Sequence, residues 1–491
     1  MIHPVKSSIA SQKTTANSPG LSDIAADTAV DITASIKAGI AKTGKRSLLG
    51  FIATLTIICT LPSSGANLAE IYDLAVSNDP QLAAAKAGYM AQKEVKSQAR
   101  AGLLPNISVA GTTADNKIRF NSAPGNLNFN DNRWAVIITQ PVFRLDRWFQ
   151  LQQSKNVEAQ AKAQFTAEQQ QLIFRAADSY LNILEAQDRY GASIAERDAV
   201  QRQLEQVQQR FDVGLVAITD VLESTAAFDS STVNVIEAEG AQAISFESLL
   251  RLTGQSFRQV ESLSAKFPVE YPEPRDEEAW VNTALQQNFS LIAAREAVNT
   301  ARRQIQITRS AHLPTIDANI NYSESRTGGF AFTGSATDAR IMELQLNVPV
   351  YSGGRVNSQA RQAGFQLEQQ QRNYDLTQRT VVENTRSLYT AINTDVARVN
   401  ARQKGIDSSQ SALDATQTGY EVGTRNIVDV LLAQQRLYQA QFQYASARYQ
   451  YIRDTLRLKE VVGTLSPEDI YALNNFIAGE QGVGKIIPTT R

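Results

Sequence analysis

The sequence predicts a mixed α and β fold that is built from two tandem structural repeats. Three observations support this prediction: a motif that occurs twice, a pair of strand-like segments in each half, and very long helical segments without proline. The motif occupies residues 211–222 and again residues 420–431, so that each matched position lies 209 residues downstream. Two halves that keep one register over this distance share one architecture.

Each copy of the motif carries a glycine, Gly214 or Gly423, between two long helical segments. Glycine adopts positive φ without steric cost and can therefore reverse the chain at a helix end. We expect each motif to be the tip of a helical hairpin.

The order of the segments predicts five regions along the chain. A proline-rich linker separates the repeats, and the composition of the last region, turn-rich from Gly479 onwards, predicts a mobile tail. The predicted regions are an N-terminal extension with signal peptide (1–66), a first repeat (67–267), the linker (268–275), a second repeat (276–470) and the C-terminal tail (471–491).

The composition excludes several classes of function. The 491 residues include 48 Lys and Arg against 49 Asp and Glu, so no basic footprint for nucleic acid is present. The only cysteine is Cys59, and the two histidines are His3 and His312. A chain cleaved after residue 66 keeps one histidine and no thiol, which excludes Cys/His metal sites, thiol nucleophiles and most histidine-based triads. Carboxylate chemistry alone remains possible. Because the sequence contains no triad, P-loop or metal-ligand spacing, and its carboxylates are expected on solvated helix faces, we predict no enzyme, no cofactor and no bound metal.

The N-terminal region is typical of an export signal. Three basic residues within 42–46 precede an apolar core at 48–61, and the small residues 64–66 provide a cleavage site. The apolar core is too short for a comfortable membrane span. We expect the mature chain to be exported.

Residues 68–103 have the spacing of apolar residues that is typical of helices. Pro80 follows a capping pair, Asn78 and Asp79, which predicts a short helix followed by a longer one. Pro105 ends the second helix, because the residue before a proline is pushed out of the helical region.

Two strands are predicted in each repeat. They occupy residues 106–113 and 133–140, separated by a loop at 114–132, and then residues 315–322 and 341–348. Alternation with period two gives one apolar and one polar face. The pattern fits a half-buried sheet in a soluble protein and equally fits tilted strands that cross a bilayer.

Four strands are too few to close a barrel, since the smallest outer-membrane barrels have about eight. Unpaired strand edges are not tolerated in lipid. If these strands cross a membrane, other copies of the chain must complete the barrel, and the residues alone leave the number of copies open.

The helical segment at 145–210 has no proline and only one glycine, and at about 1.5 Å per residue it would be roughly 100 Å long. It is rich in alanine and glutamine and has a narrow apolar stripe. A narrow stripe suits helices that touch lateral neighbours in the wall of a tube, although an antiparallel coiled-coil hairpin also fits. The stripe contains Leu172, Ala176, Tyr180, Ile183 and Leu184.

A returning helix is predicted at 219–251 and ends near Gly254. The second repeat is expected to follow the same order. Its helices are predicted at 277–312, 355–419 and 426–462, and its strand pair lies within 315–348.

These motifs, together with residues 349–354, resemble the TolC family of outer-membrane channels, also called outer membrane factors. The resemblance covers roughly residues 67–476. It implies a trimer in which four strands per chain form a 12-stranded outer-membrane β-barrel that continues as a long periplasmic α-helical barrel. The implied function is an exit channel for tripartite efflux pumps or type I secretion in a Gram-negative bacterium.

The same resemblance implies partners. Substrates would come from an inner-membrane transporter of the RND, ABC or MFS type through a periplasmic adaptor, also called a membrane fusion protein. The alternative is a periplasmic coiled-coil adaptor or scaffold without a membrane barrel.

The resemblance also implies a gate at the hairpin tips and docking sites for the adaptor. The gate positions are Thr219, Asp220, Tyr420, Arg425 and Asp429. The docking positions are Val213, Gly214, Leu215, Val422, Gly423 and Thr424.

The helix dipole alone could explain the equivalent aspartates Asp220 and Asp429, which both lie in the first turn of a helix. It does not explain Arg425, whose counterpart in the first repeat is Val216. In a trimer, Asp429 would form a ring of carboxylates that attracts cations. The family has a second aspartate where this chain has Leu432, so we expect weaker blocking by multivalent cations.

Overall fold

A computed structural model of the chain describes residues 65–119, 126–264, 267–329 and 332–486. Almost all of the predicted extension and signal peptide lies outside these residues. The helices are α1 (Leu68–Asn78), α2 (Pro80–Ala101), α3 (Leu145–Asp212), α4 (Ile218–Thr253), α5 (Glu277–Gln287), α6 (Phe289–Ser310), α7 (Arg355–Glu421), α8 (Ile427–Val462) and α9 (Pro467–Asn474). The strands are β1 (Asn106–Arg119), β2 (Asn126–Phe143), β3 (Gln259–Leu263), β4 (Thr315–Gly329), β5 (Phe332–Asn347) and β6 (Ile477–Gly484).

The two repeats predicted from the motif are present in the structure. Helices α1 and α5 begin at Leu68 and Glu277, and α4 and α8 begin at Ile218 and Ile427, in each case 209 residues apart. Both returning helices end at a glycine with positive φ, Gly254 at 71° and Gly463 at 89°. The register of the sequence motif therefore extends to most of the helix boundaries.

The prediction of a single helix at 277–312 was wrong, because α5 ends at Gln287 and α6 begins at Phe289. The break is at Asn288, whose side chain accepts a hydrogen bond from the backbone N–H of Leu291 at 2.8 Å. Its amide group also donates to the carbonyl oxygen of Val461 on α8 at 2.7 Å. These bonds stabilise a helix start without the proline that marks the equivalent break at Pro80.

Strands β1, β2, β4 and β5 form one antiparallel sheet in the order β1-β2-β4-β5. The strands are longer than predicted, and most of the predicted loop at 114–132 is strand. The ladder between β1 and β2 continues in register up to the pair of Arg119 and Asn126. Polar residues extend these strands because the backbone ladder forms without apolar alternation.

The register gives this sheet one apolar face across all four strands. Residues that lie directly opposite each other share a face, so the pairs Ile107 with Ile138 and Ile320 with Met342 lie on the same side. The apolar face comprises Ile107, Val109, Val136, Ile138, Ile320, Tyr322, Met342, Leu344 and Leu346. The same face also carries Trp134, Glu324 and Arg340. The opposite face is mostly polar and includes Asn319 and Glu343, although Ile137 and Ile341 also lie on it.

The long helices form two hairpins. Helix α3 has 68 residues and pairs with α4, while α7 has 67 residues and pairs with α8. The predicted apolar stripe of α3 is buried along its length, and Tyr180 and Ile183 have no exposed surface. Among the described residues, no helix is both long enough and apolar enough to span a membrane.

The C-terminal tail is ordered between residues 467 and 484, which contradicts the predicted mobile tail from Gly479. Strand β6 pairs antiparallel with β3, a short strand of the first repeat that the sequence analysis missed. Helix α9 begins with a capping box at Ser466 and Asp469, and its Ile470 is fully buried. This small sheet ties the end of the first repeat to the end of the chain.

Candidate functional site at the two hairpin tips

The tips of the two hairpins have nearly the same backbone. In the first tip, Gly214 has φ of 77°, and the N–H of Leu215 donates to the carbonyl oxygen of Arg210 at 2.8 Å. In the second tip, Gly423 has φ of 79°, and the N–H of Thr424 donates to the carbonyl oxygen of Gly419 at 2.8 Å. Both glycines hold a left-handed conformation that closes the end of a long helix.

The second tip starts its returning helix with a complete capping box. The side chain of Asn426 accepts a hydrogen bond from the N–H of Asp429 at 2.8 Å, and the Asp429 carboxylate reaches back to the N–H of Asn426 at 3.5 Å. Arg425 lies one turn away, with its Nη1 at 3.9 Å from Oδ2 of Asp429. Because this pair is long and exposed, its contribution to stability is small.

The first tip lacks this capping arrangement. Ala217 occupies the position equivalent to Asn426 and has no side chain that could cap α4. The carboxylate of Asp220 has no hydrogen-bond or ion-pair partner within the described part of the chain, and Thr219 beside it is exposed. The two equivalent aspartates therefore have different local roles, since one caps a helix and the other does not.

Tyr420 lies between the two tips. The residue is only 7% exposed, and the guanidinium of Arg210 from the first hairpin lies 4.9 Å from the centroid of its ring. Burial raises the pKa of Tyr420, and the nearby carboxylate of Asp220 adds to this rise while Arg210 opposes it. The hydroxyl group is buried and has no hydrogen-bond partner among the described residues.

A hydrophobic cluster holds the two tips together. It contains residues from all four long helices, and Phe211 and Val216 of the first tip pack against its buried members. The buried members are Val200, Val207, Val221, Leu413, Tyr420, Ile427, Val430, Leu431, Ala433 and Leu437. Each hairpin end is thus stabilised by the other.

The residues at the turns are exposed. Val213, Leu215 and Val422 each expose about two thirds of their surface, and Gly214, Gly423 and Thr424 are exposed beside them. The predicted docking positions therefore lie at the solvent-exposed ends of both hairpins.

The structure thus brings Tyr420 and Asp220 together, and separately Arg425 and Asp429. Within one chain it makes no bond between Arg425 and Asp220. The sequence analysis missed Arg210, although a cation directly before the motif, where the second repeat has Gly419, was a visible difference between the copies.

The chain belongs to the outer membrane efflux protein family. A profile of this family matches residues 71–255 and 280–464, and these two matched segments are themselves 209 residues apart. The protein is therefore an outer-membrane exit channel of a Gram-negative bacterium, of the class that serves efflux and type I secretion.

Individual relatives agree with this assignment in sequence, and a solved structure agrees in fold. The outer membrane protein TolC of Vibrio cholerae serotype O1 is 37% identical over 411 residues, which cover 83% of this chain and 93% of the relative. The alkaline protease secretion protein AprF of Pseudomonas aeruginosa is 26% identical over 84% of this chain and 88% of its own length. The solved structure of the Campylobacter jejuni CmeC outer membrane channel matches with a TM-score of 0.70 at 16% identity, covering 84% of this chain and 90% of that chain.

Proposed function

We propose that three copies of the chain form one continuous exit duct. A 12-stranded barrel crosses the outer membrane, a tube of α-helices extends into the periplasm, and the hairpin tips close the far end. The observation that carries this proposal is the four-stranded sheet, which has an apolar face on one side and an unpaired strand at each edge.

The edges of the sheet require a partner. Strands β1 and β5 each pair with one neighbour only, and Val109 on β1 and Met342 on β5 expose about three quarters of their surface. In lipid, unpaired backbone groups cost several kcal/mol each, so a membrane sheet must close on itself. Pairing β5 of one copy with β1 of the next closes the sheet, and three copies supply twelve strands.

The internal repeat supports the same assembly in the helical part. Within one chain, α3 contacts α8, and Ser446 on α8 donates to Glu185 on α3 at 2.6 Å. A shift by 209 positions maps this contact onto α4 and α7, at Glu237 and Thr394. Both of these residues are exposed in the single chain. We therefore place α4 of one copy against α7 of the next.

Apolar residues on α4 support this placement. Val233, Ile236 and Ile244 are more than half exposed, although a helix in water would carry polar residues there. Their counterparts on α8 are Phe442, Ala445 and Arg453, and Arg453 binds Asp178 and Glu185 of α3. The α4 residues thus occupy the positions that form a lateral interface in the other repeat.

The residues at the hairpin tips suggest how the channel closes and where its partners bind. Asp220, which has no hydrogen-bond or ion-pair partner among the described residues, and the exposed Arg425 supply opposite charges for a bond between neighbouring hairpins. The exposed residues at both turns form the docking surface for a periplasmic adaptor. An inner-membrane transporter delivers the substrate to this assembly, as is implied for a family that includes a protease secretion protein.

Cross-linking tests the trimer. The predicted mature chain lacks cysteine, so Glu237→Cys combined with Thr394→Cys provides one defined pair in outer-membrane preparations. We expect a bifunctional maleimide to produce covalent dimers and trimers on a denaturing gel.

Matched controls separate this result from random contact. Each single substitution should give no trimer, and Glu185→Cys with Ser446→Cys should cross-link within one chain and leave the mass unchanged. A monomeric protein in the soluble periplasmic fraction, with no product from the first pair, would contradict the barrel and favour the adaptor alternative.

A further inference from the structure

The second hairpin contains a pair of carboxyl groups, one buried and one half-buried, that the channel architecture does not require. Asp395 lies in the middle of α7 and is only 1% exposed. Its Oδ1 forms an ion pair with Nη1 of Arg398 at 2.8 Å, whereas its Oδ2 is buried and has no hydrogen-bond partner among the described residues. An unsatisfied carboxylate oxygen in this position is costly unless it carries a proton.

The group that acts on Asp395 across the helix interface is Asp454 on α8. Asp454 is half-buried, and its Oδ1 accepts a hydrogen bond from Gln450 at 3.0 Å. Two carboxyl groups that face each other in a buried site do not both ionise readily. One shared proton would satisfy the unpartnered oxygen and remove the repulsion.

The two arginines near this pair of carboxyl groups do not neutralise both of them. Arg398 is about half exposed and contacts only Oδ1 of Asp395. Arg453, which is adjacent to Asp454, points towards α3 and binds Asp178 at 2.9 Å and Glu185 at 2.8 Å.

The other helices that pack on α7 make their contacts away from this pair. Helix α5 meets α7 at Arg386, which binds Glu277 and Glu278 about two and a half turns away. Helix α6 packs further along α7, around residues 366–370. Within one chain, the charge around Asp395 therefore comes from Asp454 and Arg398. The proposed trimer would add Glu237 of a neighbouring copy opposite Thr394.

The first hairpin has no equivalent pair. A shift by 209 positions places Ala186 and Ser245 at the positions of Asp395 and Asp454. Ser245 donates its hydroxyl group to the carbonyl oxygen of Gln242 in its own helix. Helix packing in this fold therefore does not require acids here, and the pair is a property of the second hairpin alone.

We propose that Asp395 and Asp454 form a proton-dependent clasp between α7 and α8, which tightens the second hairpin when the pair holds one proton and loosens it when both groups ionise. The ligand of this site is a proton from the periplasmic solvent. The clasp lies within one chain, so it does not depend on the proposed trimer.

The direction of the pH effect follows from the pKa. Burial, followed by the interaction with Asp454, raises the pKa of Asp395 to about 7 from an ordinary value of 3.8, while Arg398 opposes the shift. The folded chain binds more protons than the unfolded chain between these values. The contribution of this pair to stability therefore declines as pH rises from about 4 and is lowest above about 7.

Thermal unfolding of the full-length channel between pH 6 and pH 8.5 tests the clasp. We expect the Tm of the wild-type protein to fall by a few degrees across this range. Asp395→Asn should flatten the fall, because the amide donates a hydrogen bond to Asp454 without a titratable proton, and Asp454→Asn should have the same effect. A matched control is Asp178→Asn, which removes an acid from the α3–α8 interface and should leave the pH slope intact.

Infrared spectroscopy of the wild-type protein gives an independent measurement that needs no variant. The carbonyl band of a protonated buried carboxyl group should be present at pH 6 and lost at pH 8.5, and Asp395→Asn should remove it at both pH values. A wild-type protein without this band at pH 6, or an unchanged pH slope in both amide variants, would overturn the proposal. Cross-linking of Glu237→Cys with Thr394→Cys reports on the trimer separately, so the two proposals can fail independently.

Discussion

At the tip of the first hairpin, the carboxylate of Asp220 has no partner within the described chain, whereas at the second tip the equivalent Asp429 completes a capping box with Asn426. The backbones of the two tips match closely, with φ of 77° at Gly214 and 79° at Gly423. The difference therefore comes from single side chains and not from the fold. The two repeats therefore keep the same backbone geometry, while the equivalent aspartates Asp220 and Asp429 have different roles.

The aromatic residues of the two tips differ in the same way. Phe211 is half-buried at the edge of the cluster, while its counterpart Tyr420 is buried and lies beneath Arg210 of the first hairpin. Tyr420 thus links both tips, whereas Phe211 belongs mainly to one.

Of the substitutions that distinguish the two tips, Tyr420→Ala should destabilise the tips most. Loss of a buried aromatic side chain typically costs about 3 kcal/mol or more, which corresponds to roughly a hundredfold increase in local opening. Phe211→Ala should cost clearly less, because its ring is only partly buried. Hydrogen exchange of peptides from both tips measures the two effects.

Tyr420→Phe is the control for this experiment. The hydroxyl group has no partner within the described chain, so its removal should leave hydrogen exchange nearly unchanged. If Tyr420→Phe nevertheless raises channel conductance, the buried hydroxyl group contributes to closure, which its lack of a hydrogen-bond partner among the described residues does not predict. Equal effects of Tyr420→Ala and Phe211→Ala would mean that Tyr420 does not link the tips.

Exchanging the caps of the two returning helices should have an intermediate effect. Asn426→Ala removes the cap of α8 and should cost about 1 kcal/mol, whereas Ala217→Asn supplies one to α4 and should stabilise it by a smaller amount. Local hydrogen exchange in the first turn of each helix measures both changes. If Ala217→Asn does not slow exchange in α4, the two tips differ in more than their capping residues.

The sequence predicted the helices and turns that are determined by residues close together in the chain. The absence of proline in residues 145–210 predicted α3 to within a few residues, and the two glycines marked both tips. The strand extensions between 114 and 132 were missed, because their asparagines form the backbone ladder without an apolar pattern. The break at Asn288 was also missed, since its stabilising bond to Val461 comes from a distant part of the chain.

The residues of the candidate site could be predicted from the sequence, but the contacts between them could not. The resemblance identified Tyr420, Arg425 and Asp220, but the position of Arg210 over Tyr420 depends on how two hairpins pack, which no local pattern encodes. The capping box, by contrast, was visible as an asparagine three residues before Asp429, and Ala217 at the equivalent position already distinguished the tips.

The smallest effect on stability, and the most direct test of the gate, should come from Asp220→Ala combined with Arg425→Ser. Among the described residues, Asp220 has no hydrogen-bond or ion-pair partner, and the only ion pair of Arg425 is the long contact to Asp429. The free energy of unfolding should therefore change by less than about 0.5 kcal/mol. If these residues bond neighbouring hairpins, the same change removes a link that exists only in the closed assembly. Single-channel conductance in planar bilayers should therefore rise while the Tm stays near the wild-type value.

Val216→Ser is the matched control, since it places the same residue at the equivalent position of the first tip, where no charged link is proposed. Because Val216 packs against the hydrophobic cluster that joins the tips, the Tm of this variant is measured as well, and conductance should stay unchanged as long as the Tm does. Loss of export by the double variant, with a folded protein and unchanged conductance, would contradict the gate. A rise in conductance with Asp429→Ala alone, equal to that of the double variant, would instead assign the link to the capping aspartate. The difference between the two tips would then affect local stability and not closure.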